Sequence, residues 1–353
     1  MAASSKFNLA VLIILSLALT AFAECESKSG PGGGECRSKA KSLKLKLIAI
    51  ASILITSMIG VCLPLFSHSV PALKPDKELF SIVKAFASGV ILATGYMHVL
   101  PDSFDDLTSD CLPENPWRKF PFTTFVAMLS ALVTLMVDSF AMSHYKKLGA
   151  SGGGSYLHNH HHVQEKIGNG GSGELGIVKD EVKPENENAT SEVLLRHRVV
   201  AQVLELGIVV HSVVIGLSMG ASDNQCTIRP LIAALCFHQL FEGMGLGGCI
   251  LQAEYGTRMK AIMVFFFSAT TPFGIALGIG LSNIYSENSP TALIVVGLLN
   301  ASSAGLLNYM ALVDLLAADF MGPKLQQNVK LQIKAYLAVL LGVGGMSLMA
   351  KWA

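Results

Sequence analysis

The chain has 353 residues, 51% of them hydrophobic and only 14% charged, with a formal net charge of +1. That balance excludes an ordinary soluble globular domain. No basic patch with interleaved aromatics occurs, so nucleic acid is not an expected partner. Apolar runs long enough to cross about 30 Å of hydrocarbon as a helix recur along the sequence, which predicts an all-α, polytopic membrane protein embedded in a lipid bilayer.

In chain order, the first apolar run spans Leu9 to Ala23, follows Lys6 and ends in Ala21, Phe22 and Ala23. A charged start, a short apolar core and a small-residue end mark residues 1–23 as a secretory signal peptide. Residues 24–46 then form an external N-terminal segment. Eight spans follow, at about 47–67, 79–99, 121–145, 197–220, 230–251, 260–283, 291–316 and 331–352. An external start with an even number of spans places both termini in the extracellular space.

Cytoplasmic loops are enriched in Lys and Arg, and the later outer loops hold only Arg118, Lys119 and Arg229. One cluster runs against this pattern: Arg37, Lys39, Lys41, Lys44 and Lys46 precede the first span after the signal peptide, on the outer side. Cys25, Cys36, Cys111 and Cys226 fall in segments placed outside, where disulfides persist. Their three pairings stay open. Cys62, Cys236 and Cys249 lie in apolar runs and read as packing residues.

Residues 47–145 hold the first three spans and residues 197–353 the last five, which carry the metal site described below. Between them, residues 146–196 are rich in Gly, Ser, Asn, Glu and Lys. Such a composition cannot bury enough apolar surface to offset its ordering entropy, which predicts a flexible cytoplasmic loop. Within it His158, His160, His161 and His162 form a cluster suited to weak metal binding. A run without fixed supporting contacts gives poor metal selectivity. Lys166, Lys179 and Lys183 of the same loop are accessible to attachment of ubiquitin.

Two motifs put ionisable side chains in the middle of apolar runs: HSVVIGLSMG at 211–220 and HQLFEGMGLGG at 238–248. Such groups are costly in hydrocarbon, face a bundle interior and mark ion or substrate routes. At 1.5 Å per residue, His211 lies about 15 Å from the outer end of its span and His238 about 12 Å from the outer end of the next. The two therefore meet at similar depth. Glu242 follows His238 by four residues and shares its helix face, while Ser212 and Gln239 flank the histidines as further oxygen donors. Two imidazoles, a carboxylate and weaker oxygens, with no thiolate, suit a borderline divalent ion such as Zn(II) or Fe(II). Gly216 and Gly220, like Gly243 and Gly247, form small-xxx-small pairs that let helices converge. The competing reading is ordinary helix packing, with the histidines as donors between helices. Asp138 in the third span and Glu205 in the fourth are candidates for the pathway or for structural pairing. Asn300, Tyr309 and Asp314 in the seventh span either satisfy one another or line the route, with mutual structural pairing the favoured reading.

HSVVIGLSMG and HQLFEGMGLGGCILQAEY resemble the fourth- and fifth-span signatures of the ZIP (Zrt/Irt-like) metal transporters, particularly the plant iron-regulated transporter branch. The likeness extends over nearly the whole chain and includes the MHVLPDSF segment at 97–104. It implies a ZIP-type helical bundle that moves divalent metal into the cytoplasm, with His211, Ser212, His238, Gln239 and Glu242 at the transport site. It also makes His98, Asp102 and Asp105 candidates for entry and selectivity at an acidic mouth that concentrates cations. Some relatives carry a further glutamate four residues after the fourth-span histidine. Here that residue is Ile215, so one principal ion is expected.

The reading is a plasma-membrane transporter of Fe(II), Zn(II) and related divalent ions such as Mn, Co and Cd, working by alternating access. A homodimer is one assembly open to it. The metals are cargo, no catalytic cofactor is implied, and the chain is not read as an enzyme. The alternatives are a metal-sensing receptor or scaffold without net flux and an intramembrane metalloprotease. For the latter the HExxH pattern is missing.

Overall fold

The computed structural model describes residues 39–66, 77–152, 185–282 and 289–350, with side chains described for 39–66, 77–144, 193–282 and 289–349. Residues 1–23, the His158 to His162 cluster, Lys166, Lys179 and Lys183 lie outside the described residues. Among those described, eight helices are long and apolar enough to cross a membrane: α1 Lys39–Leu65, α2 Glu78–Leu107, α3 Phe122–His144, α4 Val193–Ala221, α5 Gln225–Gln252, α6 Thr257–Leu281, α7 Pro290–Phe320 and α8 Val329–Met349. The protein is a polytopic helical membrane protein.

Several ends differ from the sequence expectation. Helix α1 begins at Lys39, inside the segment expected to be external, while the helix carrying α3 runs on to Gly152 and that carrying α4 starts at Glu185. Helix α2 continues eight residues past the expected end at Val99, to Leu107. Pro101 reads as a stop because its ring removes an N–H and clashes with the carbonyl one turn back. In the structure Gly95–Val99 is wound as a π-helix, the Leu100 N–H reaching back to the Gly95 carbonyl. The wider turn lets Pro101 sit in the first turn of the following α-helical segment.

Contacts sort the helices into two groups. In one, α1 packs on α5 and α6, and α4 packs on α6; in the other, α2 packs on α8, and α7 packs on α3 and on the outer part of α2. The groups meet chiefly where α2 touches α5 and where α4 touches α7. Only 6% of the apolar window of α3 is buried within the chain, against 72% for α5, so α3 is the peripheral helix and α5 the central one. Large side chains left outside, among them Phe140 on α3, Phe265 on α6 and Leu341 on α8, form the hydrocarbon-facing coat.

Between helices in lipid, close packing replaces the hydrophobic drive, and small residues decide which helices can touch. A Cβ on Gly216 would come within 2.7 Å of the Thr271 carbonyl oxygen, and one on Gly220 within 2.8 Å of the Gly278 Cα, so α4 lies backbone to backbone on α6. On α5, a Cβ on Gly243 would come within 2.8 Å of the Val61 backbone nitrogen, and Gly247 abuts the Val61 carbonyl, so α5 lies in the same way on α1. The glycine pairs thus seat α6 and α1 respectively, rather than α4 and α5 on each other.

Polar ties mark the two ends of the bundle. Near the start of α1, buried Lys46 pairs with Asp223 of the α4–α5 loop at 3.5 Å, and the Ser42 hydroxyl donates to the same carboxylate at 3.3 Å. One member of the discordant basic cluster is therefore neutralised locally. At the opposite end Lys84 of α2, also buried, reaches Asp319 of α7 at 2.9 Å and Gln252 of α5 at 3.0 Å. Cys111 and Cys226 are disulfide-bonded, while Cys62, Cys236 and Cys249 are free.

Candidate metal centre

Helices α4 and α5 bring His211 and His238 to the depth expected from their spacing: the ring centroids stand 5.8 Å apart. Helix α2 adds a third ring. His98 lies 6.2 Å from His211 and 5.8 Å from His238, closing a triangle of imidazoles across the boundary between the two helix groups. It sits at 5% exposure on the π-wound turn, below the acidic end of α2. Asp102 and Asp105, one and two turns further out, are exposed.

Around this triangle the polar atoms lack partners within the protein. His211 and Glu242 are buried with both side-chain nitrogens and both carboxylate oxygens unpaired; Ser212 Oγ, His238 Nδ1, Gln239 Oε1 and His98 Nε2 are unpaired as well. Buried polar groups in native structures nearly always find a hydrogen bond, so each exception calls for an explanation. Here the unpaired atoms are mostly lone pairs converging from three helices, the donor set a divalent cation takes. Thr94 of α2 approaches the Glu242 carboxylate, but its hydroxyl is committed to the Val90 carbonyl at 3.0 Å, and both Glu242 oxygens stay free.

The triangle is wider than one ion requires. Imidazole nitrogens bind zinc at about 2.0–2.1 Å, and among the described residues no three His, Cys, Asp or Glu side chains stand together at ligating distance. Ile215 faces away from such a role: it packs with Ala49, Ile53, Met219, Leu235 and Ile275 in an apolar cluster between α1, α4, α5 and α6.

The other candidates fall elsewhere. Asp138 of α3 accepts a hydrogen bond from the Tyr309 hydroxyl of α7 at 3.4 Å, and Asp314 of α7 pairs with Arg196 of α4 at 3.9 Å. Asn300 is buried without joining this set. Glu205, six residues inward of His211, lies about 9 Å further along α4 and keeps one unpaired oxygen. Sequence reading missed Ser57 of α1 and Thr271 of α6, whose hydroxyls each accept a hydrogen bond from the Gln239 amide. A lone hydroxyl in an apolar span is too common a signal to single out.

The chain is similar to known proteins over most of its length. The sequence pattern of the family described as ZIP Zinc transporter matches residues 43–350. The chain is 64% identical over 318 residues to the Fe(2+) transport protein 1 of Oryza sativa subsp. japonica, covering 87% of this chain and 83% of that one. It is 62% identical over 311 residues to Zinc transporter 7 of Arabidopsis thaliana, covering 87% and 84%. Against Fe(2+) transport protein 1 of Arabidopsis thaliana it is 61% identical over 307 residues, covering 87% and 85%.

Proposed function

The chain belongs to the ZIP zinc transporter family, and from that premise we propose that it moves Fe(II) and Zn(II), with Mn(II), Co(II) and Cd(II) as further substrates, through the His98, His211 and His238 triangle. It is a divalent metal uptake transporter, and the metals are its cargo. One observation carries the residue-level reading: unpaired nitrogen and oxygen atoms from α2, α4 and α5 converge in a buried place where a polar group otherwise costs several kcal/mol (about 2–7).

Asp102 and Asp105 gather the ion at the outer end of α2 and hand it inward by way of His98. His211, His238, Glu242, Gln239 and Ser212 replace its water. Release proceeds towards Glu205 and the His-bearing loop. Because the triangle takes His98 from one helix group and the rest from the other, a shift of one group against the other opens it to either side, which is how alternating access works here. The plasma membrane is the site of action, with both termini outside. The asymmetry of Lys and Arg supports this orientation, as do the disulfide-bonded Cys111, in the α2–α3 loop, and Cys226, in the first turn of α5, both at the end placed outside.

The test is uptake of labelled Fe(II) and Zn(II) into proteoliposomes by wild type and His238→Ala. Metal-dependent flux that falls in the variant supports transport through this site. Binding without flux in folded protein returns the sensing scaffold instead.

A further inference from the structure

A glutamine amide offers two N–H donors at one end and a carbonyl acceptor at the other. Gln239 of α5 is 1% exposed, and its ends are treated differently. Nε2 donates to Ser57 Oγ of α1 at 3.2 Å and to Thr271 Oγ1 of α6 at 2.9 Å, which uses both amide hydrogens. Oε1 is buried and has no partner in the protein. Both hydroxyl residues are fully enclosed, Ser57 at 0% and Thr271 at 1% exposure, and they come from helices that supply none of the histidines or the carboxylate.

A glutamine that served packing alone would have both ends satisfied. Here the nitrogen end is tied down on two sides, and the oxygen end is left bare on the turn of α5 that also carries His238 and Glu242. The reverse amide orientation would also satisfy the two hydroxyls, but it would turn an NH2 group, which has no lone pair to give, towards the ion. We propose that Ser57 and Thr271 are positioning residues for metal transport: they hold the Gln239 amide by its nitrogen and so present its carbonyl oxygen to the ion as a neutral ligand. The glycine contacts seat α1 on α5 and α6 on α4 at backbone distance, so the two anchors hold Gln239 from a firm base.

A carbonyl oxygen is a hard donor that suits Mn(II) better than Zn(II), for which imidazole suffices. Losing its orientation therefore changes the ranking of metals as well as the total rate. This inference rests on the His/Glu site proposed above, and the experiment separates the two.

Uptake of Mn(II) and of Zn(II) is measured in proteoliposomes for wild type, Ser57→Ala, Thr271→Val and the double variant, each with and without Gln239→Ala. Supporting contacts of this kind change metal affinity by about 10–100-fold. The double variant is expected to raise KM for Mn(II) about tenfold and for Zn(II) about threefold or less, with Vmax within about twofold. In the Gln239→Ala background the same two substitutions should add nothing. Equal losses for both metals, or the same loss with and without Gln239, would overturn the inference and assign the hydroxyls to helix packing. Should the double variant lose its monodisperse peak in detergent, Thr271→Ser against Thr271→Val decides: a raised KM for Mn(II) in valine alone supports the role, and equal values refute it. Wild-type uptake by His238→Ala would instead remove the site itself.

Discussion

Glu242→Gln tests the charge of the metal centre, because it keeps the shape of the side chain while removing the negative charge and one of the two ligating oxygens. Glu242 is 0% exposed and neither carboxylate oxygen has a protein partner, so no neighbouring group shares or offsets that charge. Neutral imidazoles cannot compensate a doubly charged ion. Two unit charges 4 Å apart interact by about 4 kcal/mol at an effective dielectric constant near 20, and a divalent ion doubles that before desolvation is counted. Removing one partner of a buried pair costs a net of about 3–5 kcal/mol. At 1.4 kcal/mol per factor of ten, binding should weaken about 100- to 3,000-fold. The term depends on charge rather than ion type, so Fe(II), Zn(II) and Mn(II) should all weaken together. Competition against a metal-sensitive dye in detergent reads the affinity, and proteoliposome uptake reads the flux. Affinity for any of the three within about fivefold of wild type would refute the assignment of Glu242 as a ligand.

Three further outcomes follow from the same geometry. Asp102→Ala acts at the exposed end of α2, one turn outside His98, so it should change the ratios among metals in a competition uptake panel by about threefold or more, on the scale of one lost surface charge contact; a uniform loss would place Asp102 with Glu242 instead. Gly220→Ala drives a methyl into the Gly278 backbone of α6, and such overpacking costs about 1–3 kcal/mol; an unchanged Tm in detergent would show that α4 and α6 are not seated as described. Lys84→Met removes the buried ammonium that ties α2 to α7 and α5. Because Asp319 keeps 28% exposure, the loss should be about 1–3 kcal/mol, below the full cost of a broken buried pair. Adding Asp319→Asn should recover most of it, and no recovery would mean that packing of the lysine stem carries the effect.

The sequence made the spans legible because hydrocarbon imposes a minimum apolar length, and it made His211, His238 and Glu242 legible because ionisable groups inside such runs stand out. The same logic located the glycine pairs but not their partners: Gly220 and Gly278 belong to helices far apart in the chain, and no local period links them. His98 was readable as a member of the acidic outer segment, while its ring contacts with His211 and His238 were not. The π-wound turn at Gly95–Val99 changes the angle between successive side chains, so helical spacing cannot say which way His98 points. Pro101 compounds the difficulty, since it reads as an ending and instead lies within a continuing helix. Of the basic cluster that runs into the start of α1, Lys46 pairs with Asp223, a contact between segments about 180 residues apart that no local spacing announces.

The backbone contacts that lock α4 to α6 and α5 to α1 have a consequence for how tightly this protein can hold its cargo. His211, Gln239 and Glu242 ride on one block, and His98 rides on the other, so the proposed site would grip its ion across a seam rather than in a cup. Grip and passage then share a single variable, the gap between the blocks. A change that narrows the seam strengthens the hold and delays release in the same measure, which ties this protein's affinity for metal to its speed.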